Sequence, residues 1–244
     1  MKSYIALLAI TASGLTTNAA NAAPAQVART ADQILSDFVT ASGGVAPWKK
    51  HRSLSASMTL SVVGMGVDGT GTTLWTSKNQ YLETAEVPNM MTLRRGGDGK
   101  RFWSQDPIDG LRWLQSAEAE QTKITAAWMG NMRLKELATS IGAVASIDNL
   151  DCIETAYKAS PPVIYCFDRT SHLLTLEQGK KASPQGDTPY VTRSSDYRDV
   201  GGVKFPFLQE TTAGPATFSI ALQTVKWDVP TSPAQFKLPK AAKK

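Results

Sequence analysis

The chain has 244 residues, 42% of them hydrophobic and 19% charged, a balance that describes a folded globular protein and excludes wholesale disorder. The formal net charge of +5 is mild and spread along the chain, so it gives no footprint for nucleic acid. Two Cys and two His are too few for a clustered metal site, and none is expected.

The first segment reads as an export signal. Lys2 supplies a positive start, Tyr4 to Ile10 an apolar run, and Ala20-Asn21-Ala22 the small-x-small pattern of a cleavage site. Cleavage is expected after Ala22, because a cut one residue later would place Pro24 just beyond the scissile bond. The apolar run is far short of the ~20 residues a bilayer span requires. No Cys follows the small residues to carry a lipid. The expectation is a soluble periplasmic protein whose residues 23–244 form one domain.

After a short leader, Thr30 and Gln33 make a capping box. Ile34, Leu35, Phe38 and Val39 follow at helical spacing, and Gly43-Gly44 ends the helix. From Ser53 the period changes to two. Leu54, Ala56, Met58, Leu60 and Val62 share one face, and Ser53, Ser55, Ser57, Thr59 and Ser61 the other, the mark of a strand with one dry and one wet side. Phe218, Ile220 and Leu222 repeat the alternation near the end. Further strands are expected at 70–76, 79–85, 90–95, 100–104, 141–147, 152–157, 163–167, 173–178, 189–199 and 203–212, separated by Gly-rich turns. One helical stretch interrupts them. Leu114, Ala117, Ile124, Trp128 and Met132 recur at i, i+3/i+4 spacing, predicting a helix over 114–132 that Gly130 breaks or kinks. The fold class is therefore α+β, a long antiparallel sheet that curls and whose apolar concave face is covered by the two helices.

Cys152 and Cys166 flank a hairpin whose turn is Lys158 to Pro162. Pairing 152 with 166 also pairs 153 with 165 and 155 with 163, which sets the two sulfurs directly across one strand pair. A structural disulfide is expected; no Cys-x-x-Cys spacing points to redox chemistry.

The order of elements, together with Asp98-Gly-Lys-Arg-Phe-Trp103-Ser-Gln-Asp-Pro107 and the block Ser195-Asp-Tyr-Arg-Asp-Val-Gly-Gly-Val-Lys-Phe-Pro-Phe207, resembles the exported proteins grouped around the outer-membrane lipoprotein-sorting carrier LolA. The strongest match, 195–207, is structural and holds no reactive constellation. The resemblance implies an incomplete barrel, lidded by helices, that encloses a cavity for acyl chains. The carrier's own functional residues have no matching positions in this chain.

Catalytic chemistry finds little to work with. His51 and His172 both sit in turns, Asp106, Asp109, Asp196 and Asp199 adjoin turns or Arg side chains, and no phosphate loop, dinucleotide fingerprint, His-Glu-x-x-His or Gly-x-Ser-x-Gly elbow occurs. No cofactor is expected. The chain does have soft apolar surface: the window 90–132 holds three of the six Trp and four of the seven Met, residues suited to adaptable binding. The expected apolar lining is Met58, Leu60, Trp75, Met91, Phe102, Trp103, Trp113, Ile124, Trp128, Met132, Phe218 and Ile220. The leading function is a carrier of lipid or of an acylated protein, with an envelope transporter or acceptor as partner and the 114–132 helix as a lid. The alternatives are a periplasmic sensor that binds lipid and an enzyme acting on an apolar substrate. The basic C-terminus, Lys237 to Lys244, is either a solvated tail or a contact to anionic membrane surface.

Overall fold

A computed structural model describes residues 29–239. The expected export signal and leader, before Arg29, and the last five residues lie outside them. Among the described residues thirteen strands form one antiparallel sheet that does not close. In chain order they are β1 Ser53–Val62, β2 Val67–Thr76, β3 Tyr81–Val87, β4 Met91–Gly97, β5 Phe102–Asp106, β6 Gly110–Trp113, β7 Ser140–Ile147, β8 Leu150–Ala156, β9 Val163–Asp168, β10 Leu174–Lys181, β11 Thr188–Val200, β12 Val203–Ala213 and β13 Ala216–Trp227. Their spatial order, β6-β5-β4-β3-β2-β1-β13-β12-β11-β10-β9-β8-β7, makes β6 and β7 the free edges. The helices are α1 Ala31–Ala41, α2 Ala46–Lys49, α3 Ser116–Ala126 and α4 Leu134–Leu137. The segment that links the two edge strands carries α3 and α4.

Twelve of the strands fall where alternation places them. The one missed is β6, since Trp113-Leu114 reads equally well as the start of a helix. The expected 114–132 helix is not continuous. It stops at Ala126, Ala127 turns extended, Met129 adopts φ 74° and Gly130 φ 51°, and a 3₁₀ turn, Gly130–Arg133, leads into α4. The break therefore lies just before Gly130, and Trp128 points inward because the chain has left the helical path there.

Period-two alternation gives the sheet an inner and an outer face. Leu54, Ala56 and Met58 of β1 face inward, opposite Trp75, Thr73 and Gly71 of β2. The outer face is hydroxyl-rich: Ser57 lies between Thr72 and Thr224, bonding the latter at 2.7 Å, and Thr72 bonds Thr84 at 2.7 Å. Such cross-strand pairs stabilise an exposed sheet surface.

The capping box is present as expected, with Thr30 and Gln33 each accepting from the other's backbone N–H. α1 then lays Ile34, Leu35 and Phe38 against Ile153, Val163, Tyr165 and Phe167 of β8 and β9, with the Phe38 and Phe167 rings 4.9 Å apart. Its C-terminal end is fixed by two Gly-Gly pairs. Gly43, at φ +102°, sits so close to the β11–β12 turn that a Cβ would lie 1.9 Å from the Gly202 carbonyl, and the Lys204 N–H donates to the Ser42 carbonyl at 3.1 Å. The Gly201-Gly202 turn inside the 195–207 block is thus the seat of α1.

Cys152 and Cys166 are bonded, with Cα atoms 4.1 Å apart, in the register read from the sequence. They pack on the outer face with Leu150, Ile164, Leu176 and Val191. Asp151, next to Cys152, is buried and accepts from Arg29 at 2.8 Å and from Arg169 at 2.8 Å. Arg29 also pairs with Asp37 of α1, so this one carboxylate ties the start of α1 to the β9–β10 turn. Burial pushes the Asp151 carboxyl up, but the two guanidinium groups outweigh it and hold the pKa below its ordinary 3.8. A lowered carboxylate pKa contributes stability that is full above the ordinary value and is lost as pH falls through the folded-state value. Asp151→Asn is expected to cost roughly 1–3 kcal/mol at pH 7 and to lose less stability than wild type between pH 5 and about 2. Urea melts at several pH values check both expectations.

Candidate functional site

α1, the 3₁₀ turn and α4 cover the inner face of β7–β9, where Leu134 joins the α1 cluster. Apart from Tyr81 of β3, which packs under α3, and Leu174 of β10, which joins the α1 cluster, the inner face of β1–β3 and β10–β13 has no described helix packed flat against it. Between these limbs lies a hollow of about 350 Å³, at the lower end of the range for small-ligand cavities. Its sheet walls are Leu54, Ala56, Met58, Thr73, Trp75, Leu174, Phe205, Ile220, Leu222 and Val225. Thr125 to Met132 form its cover, and Phe38 and Trp48 come from α1 and α2.

One end of the hollow is an aromatic plug. Trp48 meets Trp128 at 5.0 Å and Trp227 at 5.1 Å, both edge-on, and Phe205 at 5.8 Å. His51 stacks on Trp227 at 4.4 Å, and its Nδ1 lies 2.6 Å from Asp228. His51 therefore braces the plug and does not reach a reacting group. His172, at φ 57°, forms the β9–β10 turn.

The cover is pegged on both sides. The Trp75 indole N–H donates to the Thr125 carbonyl at 3.1 Å, and the Trp128 N–H donates to Asn79 Oδ1 at 2.9 Å. On the far limb, Gln121 of α3 donates to the Lys180 carbonyl at 2.7 Å and accepts from the Ala182 N–H at 3.0 Å. Arg112 of β6 holds Glu118 of α3 through two bonds of 2.7 and 2.8 Å. α3 thus bridges the two limbs of the sheet.

Polar side chains gather on two facing walls. Thr73 stands between Ala56 and Glu83 on one cross-strand row, and its buried hydroxyl has no partner among the described residues. Glu83 accepts from the Tyr81 hydroxyl at 2.8 Å. Across the hollow, Glu177 accepts from the Tyr190 hydroxyl at 2.6 Å. Burial pushes the Glu177 carboxyl up, and the Tyr190 hydroxyl only partly offsets it.

Of the residues expected from sequence to line a cavity, Met58, Trp75, Trp128, Met132 and Ile220 line this hollow. Leu60 and Met91 lie half-buried on the inner face near the rim, and Phe218 is 37% exposed at that rim. Phe102 faces inward but is sealed under α3 with Tyr81, Leu114 and Ala126. Ile124 packs into the α1 cluster. Trp103 and Trp113 are elsewhere: adjacent residues of a strand face opposite sides, and Phe102 takes the inner one. Trp103, fully buried, lies on the outer face under Phe236, to whose carbonyl its indole N–H donates at 3.1 Å. Trp113 pairs with it there and carries the Arg101 guanidinium 3.8 Å above its ring. The C-terminal segment as far as Pro239 is accordingly no free tail.

Sequence reasoning missed Trp48, Phe205, Val225, Trp227, Glu83 and Glu177. Val225 and Trp227 continue the β13 row after a bulge: Leu222 opposes Met58 and Thr224 opposes Ser57, so Gln223 is an extra residue that shifts the alternation by one. Trp48 stands alone in a Pro turn with no periodicity to mark its side.

Among the described residues no group of three or more His, Cys, Asp or Glu could hold a metal ion, and no helix is long and apolar enough to cross a membrane. No protein-family model and no curated protein sequence matches the chain. Solved structures do match in shape. A LolA superfamily protein from Nitrosomonas europaea aligns over 86% of this chain and 98% of its own, at 11% identity and a TM-score of 0.57. A DUF1329 family protein from Desulfovibrio piger covers 84% and 96%, at 9% identity and TM-score 0.54. A putative outer-membrane lipoprotein-sorting protein domain from Vibrio parahaemolyticus covers 84% and 94%, at 8% identity and TM-score 0.51.

A raised carboxyl pKa means that ionisation destabilises the fold as pH rises past 4.5, so the sign for Glu177 is opposite to that for Asp151. Glu177→Gln, which can still accept from Tyr190, is expected to melt at a higher temperature than wild type at pH 7 and at the same temperature at pH 4; a lower melting point at pH 7 contradicts this. The half-open thirteen-stranded sheet, its helical cover and these matches give the chain the fold of the LolA superfamily.

Proposed function

We propose that the protein is an exported periplasmic carrier that holds an acyl chain, of a lipid or of an acylated protein, in the hollow between the limbs of its sheet. The observation that carries this reading is the hollow itself, about 350 Å³ in volume with predominantly apolar walls under a cover made of one short chain segment. Each methylene moved from water into such a site contributes about 0.8 kcal/mol, so one chain is held firmly without a specific polar contact. Met58, Met129 and Met132 supply adaptable contacts. The Thr73 hydroxyl and the two glutamates offer hydrogen bonds to a polar end of the ligand. The likeness to a lipoprotein-sorting domain supports the same reading through the fold.

The ends of the sheet suggest how a ligand is received and passed on. Lys49, Lys50 and Arg52 before β1, Lys78 in the β2–β3 turn, Lys100 and Arg101 in the β4–β5 turn, and Lys204 and Lys226 are all exposed and share the end that holds the aromatic plug. None of them is in a salt bridge with a described residue. Asp98 in the same turn is occupied by the N–H groups of Lys100 and Arg101. Dispersed lysines of this kind suit an anionic membrane surface. The opposite end presents apolar hairpin tips, Val63, Met65, Met90 and Ile108, beside Asp68 and Glu86. That end suits a protein partner such as a transporter or acceptor.

Two experiments test the reading. Protein purified from the periplasm should carry stoichiometric lipid or acylated peptide by native mass spectrometry. Met58→Trp, which fills the hollow, should abolish that cargo while leaving a cooperative melt; full cargo in this variant contradicts the assignment. For the basic end, replacement of Lys49, Lys50 and Lys100 by Gln should weaken binding to phosphatidylglycerol-containing vesicles by about 100-fold, at about fivefold per charge. Binding to purely zwitterionic vesicles should not change, and equal loss on both kinds of vesicle would refute the electrostatic contact.

A further inference from the structure

The two free edges of the sheet are not alike. β6 is four residues long, and α3, which follows it, is clamped to it through Arg112 and Glu118. β7 is eight residues long, Ser-Ile-Gly-Ala-Val-Ala-Ser-Ile, with no charge and no proline, and every residue but Ile141 is exposed. Val144 and Ile147 are 36% and 42% exposed. Soluble proteins protect such edges with charges, prolines, bulges or covering segments. β7 has only a bulge, at Ala145–Ser146.

The strand is also close to a palindrome. Read outward from Val144, it gives Ala143 and Ala145, then Gly142 and Ser146, then Ile141 and Ile147. The register shows which backbone groups are unused. The Cys152–Cys166 pair, with Cα atoms 4.1 Å apart, has the close spacing of a non-hydrogen-bonded pair. Cys152 therefore turns its own N–H and C=O toward β7, where Val144 is opposite. Val144 is thus bonded inward, and Ala143 and Ile141 on the alternate positions turn theirs to the open edge.

We propose that the protein forms a two-fold symmetric dimer by antiparallel pairing of β7 with β7 of a second copy, centred on Val144. A two-fold axis makes residue i meet j while j meets i, and here the residues that meet also match in size and character: valine on valine, alanine on alanine, glycine on serine, isoleucine on isoleucine. Val144 would face its counterpart as a close pair, in the arrangement that Cys152 and Cys166 already show on the neighbouring strands. The Ala143 N–H and C=O would bond to Ala145 of the other copy, and the same bonds recur across the dyad. The apolar outer row of Val144, Cys152, Cys166 and Leu176 would run on into its symmetry mate. The bulge adds twist to the second half of the strand, so pairing is tightest at the centre. The absence of charge on β7 leaves nothing to repel an identical strand. The hollow lies on the other side of α1, so this inference is independent of the ligand.

Sedimentation equilibrium from micromolar to millimolar concentration tests it. Wild type should show a monomer–dimer equilibrium. Ala143→Pro, which removes only an N–H that the chain does not use, and Val144→Lys should both stay monomeric with melting points near wild type. Val144→Cys should form an interchain disulfide on air oxidation, and Thr59→Cys, exposed in the middle of the sheet, should not. A wild type that remains monomeric throughout, or a Val144→Cys variant that crosslinks no faster than Thr59→Cys, overturns the proposal.

Discussion

Everything in this fold follows from the need to cover the inner face of one long sheet that does not close. Thirteen strands twist and curl, bringing an apolar inner face around on itself. A second sheet would bury that face completely. Here the cover is one N-terminal helix and a broken helical segment between the two edge strands, and together they seal only the β7–β9 limb and the ground beneath α3. The face of β1, β2, β12 and β13 is left to the aromatic plug at one end and to a small hollow above it. That hollow is a consequence of the topology, since no single residue creates it.

The same constraint explains where polar groups are spent. Backbone and side-chain hydrogen bonds at Thr125, Trp128 and Gln121 hold the cover at points on opposite limbs. Asp151 and its two arginines secure α1 away from the hollow. The Gly43 and Gly202 contact secures its other end. The cavity therefore has a sheet for its wall and a separately tethered segment for its cover.

Much of this was legible in the sequence, for identifiable reasons. Uninterrupted alternation gave the strands, the Thr30–Gln33 box gave the first helix, and the spacing of Cys152 and Cys166 gave their register. What failed did so where one residue changes phase. The bulge at Gln223 hid Val225 and Trp227, and the extended Ala127 and left-handed Met129 cut a helical stripe that looked continuous. Trp103 and Phe102 are neighbours in a strand, so alternation allows only one of them inside, and composition alone could not say which. Trp48 gave no signal because an isolated aromatic in a turn has no periodicity. Glu83 and Glu177 were invisible for a related reason: the pairing across the hollow joins strands that are far apart in the chain.

The central claim is that an acyl chain lies on the inner face at Met58, Leu222 and Ile220, beneath the cover at Met132. The most direct measurement is an isotope-filtered nuclear Overhauser spectrum of the protein with a carbon-13-labelled fatty acid. The account predicts contacts from the chain methylenes to the Met58, Leu222 and Met132 methyl groups. Contacts confined to outer-face residues such as Trp113, or none at all with ligand bound, would contradict it.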